Sequence, residues 1–311
     1  MRDYIIGSFN IQHLNMTKDF KTIAKIIKRE NFDIIAIQES RSKLAIESIV
    51  TELNPKLWTY ACPPGNEEYA FIWNKKRLRL LELPRNKENP QIINSYHYRR
   101  KSGEIKLVRP PYVGYFTAQG LPGGCNFDLR LINTHITFSK PKDATVDVLT
   151  ARRNELTVLS RDIYGTVSDR VLGSKRSIFT VLLGDYNLVL DNDGPKILKD
   201  GYTYEIKNGK EMQFDQKYKT SLKKLNDSEN QSNIKEDILE FLRREKYVEG
   251  SEDYYSRNYD HFGYEKTLKA KYKIKCTRVE AIDYYHGTNK FKNYLDKISD
   301  HVPIKLVLTL K

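Results

Sequence analysis

With 311 residues and a mass of 36.4 kDa, the chain can bury one large core or two ordinary ones. Lys and Arg total 53 against 40 Asp and Glu, a net charge of +13 that favours polyanionic partners, nucleic acid first and anionic membranes or acidic proteins behind it. A hydrophobic content of 39% with 11% aromatics excludes general disorder, and no run approaches the roughly 18 apolar residues that a membrane-spanning helix requires.

In chain order, residues 3–11 carry apolar side chains at Tyr4, Ile5, Ile6, Phe9 and Ile11, the pattern of a strand buried on at least one face. Thr17 then stands as N-cap before a helix whose buried face is Phe20, Ile23, Ala24, Ile26 and Ile27. A second strand covers Asp33 to Gln38. Strand, helix and strand in this order predict a right-handed crossover between parallel strands, which sets Asn10 and Glu39 at C-terminal ends on one sheet edge. Further strands are predicted at Tyr69–Trp73, Tyr112–Ala118, Phe127–Ile136, Ile178–Leu183 and Val302–Leu310, with helical spacing from Asp143 to about Val167. No 20–50-residue repeat and no Pro- or Gly-rich linker divides this mixed α/β pattern, so residues 1–311 are expected to form a single domain.

The compositional break lies at about 204–250, where Lys, Asn, Asp, Glu and Gln dominate and strand signals disappear. It is expected to be a polar insertion, with an amphipathic helix from Ile234 to Tyr247 and with Lys217, Lys219, Lys223 and Lys224 available to a polyanion. Cys62, Cys125 and Cys276 are widely spaced without a Cys-x-x-Cys pair, as expected for thiols in a reducing compartment. Together with a first segment lacking the long apolar stretch of a secretory leader, this leads to the expectation of a cytoplasmic protein.

The strands end in polar groups: Ser8-Phe9-Asn10, Gln38-Glu39, Asn133-Thr134-His135, Gly184-Asp185-Tyr186-Asn187, Tyr259-Asp260-His261 and Ser299-Asp300-His301. Any one of them is an ordinary turn or cap sequence. Phosphodiester hydrolysis, however, needs charge neutralisation, an in-line water and a stabilised leaving oxyanion, and these residue types supply all of that. Hard oxygen ligands at Asn10, Glu39, Asp185, Asn187 and Asp300 suit Mg2+, Mn2+ or Ca2+, with Mg2+ first. A histidine paired with a carboxylate has a fixed tautomer and can move protons near neutral pH.

Read in order, the whole set resembles the signature of the endonuclease/exonuclease/phosphatase superfamily, from about residue 4 to residue 308. The deoxyribonuclease I branch is the nearest, since Gln38-Glu39-Ser40-Arg41, Glu67-Glu68-Tyr69-Ala70-Phe71 and Arg109-Pro110-Pro111-Tyr112 also resemble its motifs. The resemblance implies a four-layered α/β sandwich, two packed mixed β-sheets flanked by helices. It implies that Glu39 and Asp300 bind a divalent metal with Asn10 near it, and that Asp185 and Asn187 hold metal, phosphate or the attacking water. His135 and His301 would flank the scissile phosphate, oriented by Glu67 and Asp260. Arg41, Arg109 and Tyr259 are its implied substrate contacts, with Tyr259 equally suited to a core aromatic. His13, His97, His261 and His286 are read as local polar groups.

Two DNA-contact positions of that branch are replaced, by Gln12 and Gly65, and its disulfides have no counterpart. The function implied is a metal-dependent endonuclease, active as a monomer on double-stranded DNA with low base specificity. The alternatives are an abasic-site endonuclease, a ribonuclease, a phosphoinositide or sphingomyelin phosphoesterase, or a non-catalytic nucleic-acid-binding module.

Overall fold

The computed structural model describes residues 3–63, 68–81, 107–119, 127–137, 147–169, 178–190, 203–205, 210–214, 219–222, 257–265, 274–282 and 288–310. Strand β1 (Asp3–Leu14) runs parallel to β2 (Ile34–Ser40) across helix α1 (Phe20–Arg29), as the crossover predicts. The register pairs Ile6 with Ile34 and Asn10 with Gln38. The helix is capped two positions beyond the expected residue, at Asp19 rather than Thr17: Thr22 N–H donates to the Asp19 carboxylate at 3.0 Å. A carboxylate beside the positive helix terminus outcompetes a hydroxyl two residues upstream.

Helix α2 (Lys43–Leu53) follows, then β3 (Trp58–Ala61), β4 (Tyr69–Asn74), β5 (Leu78–Leu80), β6 (Tyr112–Ala118) and β7 (Asp128–His135). The predicted helical stretch after 143 is seen from Val148. Helix α3 (Val148–Thr157) is capped by Asp147, continues as a π-helix over Val158–Tyr164, and ends in α4 (Gly165–Asp169). Next come β8 (Ile178–Asp185), β9 (Thr203–Glu205), β10 (Glu211–Phe214), β11 (Asp260–Glu265), β12 (Ile274–Ala281), α5 (Thr288–Lys297) and β13 (Ile304–Leu310). The expectation that strands vanish after residue 204 is corrected here, because β9 and β10 extend one sheet along its edge and residues 219–222 cross beneath the site. The predicted helix at 234–247 lies outside the described residues, as do Lys217, Lys223 and Lys224, while Lys219 is exposed.

The strands form a six-stranded sheet in the order β12-β13-β1-β2-β4-β3 and a seven-stranded sheet in the order β5-β6-β7-β8-β11-β10-β9. Both are mixed. Between them, Ile6, Ala36, Phe71 and Leu306 of the first sheet interlock with Phe116, Leu131, Val181 and Phe262 of the second. On the outer face of the first sheet, Phe9, Ile35 and Ile37 pack against Ile23 and Ile27 of α1 and Ile46 and Ile49 of α2. On the outer face of the second, Ile132 and Leu182 pack against Leu156, Leu159 and Ile163. Alternating side chains thus bury both faces of each sheet, which yields the four layers expected: helix, sheet, sheet, helix.

Between the apolar layers runs one buried polar seam. The Asn133 side-chain amide donates to Ile37 O at 3.0 Å and Ala70 O at 3.3 Å, and its oxygen accepts from Gln38 Nε2 at 2.7 Å. Gln38 in turn meets the Ser8 hydroxyl at 3.1 Å. Ser8, Gln38 and Asn133 therefore stitch the two sheets in a fixed alignment, and a fully partnered buried network specifies register more than it adds stability.

Gly184 sits where the chain leaves no room for a side chain. Its φ is +138°, and a Cβ there would stand 1.9 Å from Thr134 O on the neighbouring strand. Gly184→Ala is expected to destabilise the fold by at least about 2 kcal/mol, since it combines an unfavourable φ with a backbone clash. Urea unfolding of the two proteins checks this, and an unchanged midpoint would contradict the assigned close approach.

Candidate active site

Two register rows assemble the site. In the seven-stranded sheet, His135 pairs with Asp185 across parallel β7 and β8, and Asp185 pairs with Asp260 across antiparallel β8 and β11. Three functional side chains thus share one row of strand ends. In the six-stranded sheet, β1 carries Asn10 beside the end of β2, where Glu39 adopts a positive φ of 57°. The β1–β2 register shifts between Asn10 and Leu14, so residues 11–13 bulge from the ladder at the sheet edge.

The turn before β13 delivers Asp300 and His301, and Ser299 fixes it. The Ser299 hydroxyl donates to Asn10 O at 2.6 Å and accepts from the backbone N–H of His301 at 3.0 Å and of Gln12 at 3.2 Å. The segment 219–222 supports the same turn from the other side: Leu222 N–H donates to Asp300 O at 2.7 Å and Val302 N–H to Thr220 O at 2.8 Å. The buried Thr220 hydroxyl accepts from the N–H groups of Tyr259 and Asp260, both at 3.1 Å.

At the centre lies the Asp185 carboxylate, almost fully buried. Its Oδ2 accepts from Asn10 Nδ2 at 2.9 Å and stands 3.6 Å from His135 Nε2 and 3.7 Å from His301 Nε2. Its Oδ1 accepts from the Asn187 N–H at 2.8 Å. Asn187 has φ 49° and turns its side-chain amide onto Ile136 O at 2.8 Å, so it holds the β7 and β8 ends together. His301 Nδ1 meets Asp260 Oδ2 at 2.7 Å, leaving Nε2 toward Asp185 and 4.0 Å from Asp300 Oδ1. Asp185, Asp260 and His301 each offer one ligand atom within 4.8 Å of the others, a group able to hold a divalent metal.

On the second imidazole, Arg109 approaches His135 Nε2 at 2.8 Å. A guanidinium can only donate, so Nε2 accepts and the proton sits on Nδ1, which is buried without a hydrogen-bond partner among the described residues. Glu67, the expected partner of that nitrogen, lies outside the described residues. Its neighbour Glu68 pairs with Arg109 at 3.6 Å instead. The Tyr69 hydroxyl accepts the His135 N–H at 3.1 Å, which gives the Glu-x-Tyr-x-Phe motif a scaffolding part.

Glu39 accepts from Asn10 Nδ2 at 3.3 Å and stands 3.8 Å from His135 Nε2. Its other oxygen takes the His13 N–H at 3.1 Å and faces His13 Nδ1 at 2.9 Å. His13, expected as a local polar group, finds its partner in Glu39 at the edge of the cluster. Gln12 likewise donates to Asp300 Oδ2 at 2.9 Å. Arg41 is exposed, with its N–H on Leu14 O at 3.1 Å, and Tyr259 is half-buried with its carbonyl accepting from Tyr186 N–H at 2.7 Å. His261 is a core residue on Leu188 O at 3.0 Å, as expected.

The electrostatics follow from burial. Desolvation alone would depress His301, but Asp260, Asp185 and Asp300 together raise it to about 10. Burial pushes Asp185 up to about 7, against the opposing pull of His301. His135 is held well below the ordinary imidazole value by burial and by the Arg109 cation. Burial and charge thus push the two imidazoles in opposite directions on either side of Asp185.

Glu155 of α3 is a functional support that no sequence motif marked. It is buried and its Oε2 accepts the Thr137 N–H at 3.3 Å, so it supports the chain just past His135. Burial is the dominant effect and raises its pKa from 4.5 to about 7. The native state therefore binds the proton more tightly than the unfolded chain. This contribution to stability is complete below pH 4.5 and is lost as pH rises to about 7. Relative to Glu155→Gln, the wild type is expected to lose on the order of 3 kcal/mol between those limits. Denaturation of both proteins at pH 4.5 and pH 8 tests it; parallel pH profiles would rule it out.

No family model matches the chain, and no curated protein sequence matches it. The likeness is to solved structures. An endonuclease/exonuclease/phosphatase family protein from Bacteroides thetaiotaomicron aligns with a TM-score of 0.57 and 12% identity over 100% of this chain and 96% of the other. A mannosyl-6-phosphatase from Bacteroides thetaiotaomicron VPI-5482 aligns at 0.56 with 13% identity, over 99% and 100% of the two chains. TDP2 from D. rerio, complexed with single strand DNA product, aligns at 0.53 with 14% identity over 99% of each chain. The structural neighbours are endonuclease/exonuclease/phosphatase family proteins and TDP2, and the α/β sandwich described above is the fold they share. Among the described residues no helix is long and apolar enough to cross a membrane.

Proposed function

We propose that the chain is a divalent-metal-dependent phosphodiesterase, a DNase I-like endonuclease that hydrolyses DNA with little base specificity. The observation that carries this reading is the Asp185 carboxylate set between two imidazoles, at 3.6 Å and 3.7 Å, one of them bound to Asp260 at 2.7 Å. A net charge of +13, with Arg109 at the rim of the site, suits a polyanion. The TDP2 neighbour complexed with single strand DNA product supports a nucleic-acid substrate, double-stranded in the present proposal.

The donor set fits a hard divalent cation. Glu39 and Asp300 offer carboxylate oxygens, and Asn10 has a buried Oδ1 without a hydrogen-bond partner among the described residues. Glu39, Asp300 and Asn10 would hold the ion, with Mg2+ the first choice and Mn2+ or Ca2+ next. Asp260 and His301 spend their facing atoms on each other, so they act as a hydrogen-bonded pair rather than as its ligands. When bound, the ion supplies charge neutralisation at the phosphate and at the leaving oxygen.

The chain's own residues do the rest. Asp185 Oδ2, already aligned by Asn10, takes a proton from the attacking water, while Asn187 fixes its other oxygen through the backbone. The His301 imidazolium, kept in its tautomer by Asp260, donates from Nε2 to a phosphoryl oxygen as negative charge builds there. Arg109 and His135 close the opposite side of the phosphate, with Arg41 and Tyr259 as outlying contacts and Glu67 as an orienting carboxylate for His135.

A plasmid-nicking assay tests this reading. His301→Ala and Asp260→Asn are each expected to slow nicking by roughly 100-fold or more, and excess chelator to abolish it. Undiminished nicking in both variants, or in chelator, refutes the assignment. A mannose 6-phosphate arm is included because one neighbour is a mannosyl-6-phosphatase; turnover of that monoester with no plasmid nicking would replace the endonuclease by a phosphatase.

A further inference from the structure

We propose that Arg152 of α3 is a positioning residue for the hydrolysis: its guanidinium clamps the chain just past His135 to the chain just past Asp185 and so sets the spacing of those two strand ends. The inference rests on the phosphodiesterase reading and goes beyond it, since no strand-end motif contains Arg152.

The clamp is direct. Arg152 Nε donates to Thr137 O at 3.3 Å and Nη1 to Asn187 O at 3.1 Å. These carbonyls lie two residues beyond His135 and Asp185, the last pair in the parallel β7–β8 ladder. Past that pair, the Ile136 N–H still reaches Asp185 O at 2.9 Å and the Asn187 side chain reaches Ile136 O at 2.8 Å. A guanidinium carries its N–H groups in a rigid planar fork, so it fixes the separation of two acceptors as an ammonium on a flexible stem does not.

Asn187 shows what the clamp secures. Its φ is 49°, a left-handed conformation that persists where surrounding contacts enforce it. Three contacts do so: its N–H donates to Asp185 Oδ1 at 2.8 Å, its side-chain amide is spent on Ile136 O, and its carbonyl is held by Arg152. The residue whose N–H orients the Asp185 carboxylate is therefore tied at its other end to the guanidinium.

Helix α3 gives the clamp a rigid base. Arg152 and Glu155 are three positions apart and share one face of the helix. Glu155 Oε2 accepts the Thr137 N–H at 3.3 Å while Arg152 donates to the Thr137 carbonyl, so one turn of helix grips a single residue on both sides. The helix is capped by Asp147 and seated on the second sheet through Leu156, which shares a core cluster with Ile132 and Leu182. The half-buried guanidinium thus transmits the position of a packed helix to the ends of β7 and β8.

What depends on this is distance. Asp185 Oδ2 stands 3.6 Å from His135 Nε2 and 3.7 Å from His301 Nε2. A misplacement of about 1 Å between reacting groups costs roughly 100-fold in rate. Arg152 acts through backbone carbonyls, so its loss is expected in turnover and not in substrate affinity.

Arg152→Ala, Arg152→Lys and the wild type are compared on a duplex oligonucleotide with Mg2+, well below the melting temperature of each protein. Expected for Arg152→Ala is a kcat lowered roughly 30- to 100-fold with KM within about threefold, and for Arg152→Lys an intermediate kcat, because one ammonium cannot span both carbonyls. Millimolar ethylguanidinium is expected to restore the kcat of Arg152→Ala by about fivefold or more, and ethylammonium to leave it unchanged. Hydrogen exchange of the full chain is the second measurement should Arg152→Ala fold poorly: in Arg152→Lys the amides of Ile136 and Asn187 are expected to exchange at least about threefold faster, with those of Ile35 and Ile37 at the wild-type rate. A wild-type kcat in Arg152→Ala, a loss confined to KM, or unaltered exchange at Ile136 and Asn187 overturns the positioning role and leaves the proposed hydrolase standing. A wild type that cleaves no diester overturns both.

Discussion

Four carboxylates, those of Glu39, Asp185, Asp260 and Asp300, are crowded around two imidazoles at one end of the sandwich, and the rest of the structure must make that crowding tolerable. Like charges brought together out of water repel strongly, and each additional one raises the cost of ionising its neighbours. Relief comes from fixed donors and cations. Asn10 donates to two of the carboxylates, Gln12 to a third, and the His301 imidazolium answers both Asp260 and Asp185. The half-buried Lys18 ammonium adds positive potential toward Glu39 and Asp300. A divalent cation among the same oxygens completes the balance in the proposed enzyme.

That arrangement is only as good as its alignment, and alignment is set away from the chemistry. In each polar motif one residue faces the pocket and another faces the scaffold. Ser8, Gln38 and Asn133 join the two sheets, while Asn10, Glu39 and His135 follow them by one or two positions in the chain and line the site. Ser299 plays the same part for Asp300 and His301. A displacement at the seam is carried directly into the site, since Ser8 and Asn10, Gln38 and Glu39, and Asn133 and His135 share the same strands.

Much of this was readable in advance, for physical reasons. Long strands buried on both faces announce themselves as apolar runs, so β1, β2, β6, β7 and β8 fall where hydrophobic spacing puts them, and their polar ends locate the site. The parallel pairing of β1 and β2 follows from the handedness of the crossover. Other features left no trace. Strands β9 and β10 have three and four residues, too few for alternation to stand out within a polar segment. Thr220 acts through a single hydroxyl, and Glu155 through a backbone amide distant in the chain. The bulge that brings Gln12 and His13 onto carboxylates has no periodic signature. The first cap falls on Asp19 and not Thr17 because Asp19 lies closer to the first free amides. The π-helix at 158–164 breaks the 3.6-residue period inside a segment that reads as continuous helix.

The likeness to solved structures establishes the sandwich, and the assembled pocket argues for chemistry within it. The sharpest test is crystallographic: diffraction at the manganese absorption edge from crystals soaked with Mn2+ and a phosphorothioate oligonucleotide that resists hydrolysis. The account predicts an anomalous peak bounded by Glu39, Asp300 and Asn10, with a phosphate lodged between His135 and His301. A manganese peak elsewhere with this pocket vacant, or a phosphate bound away from both imidazoles, would contradict it.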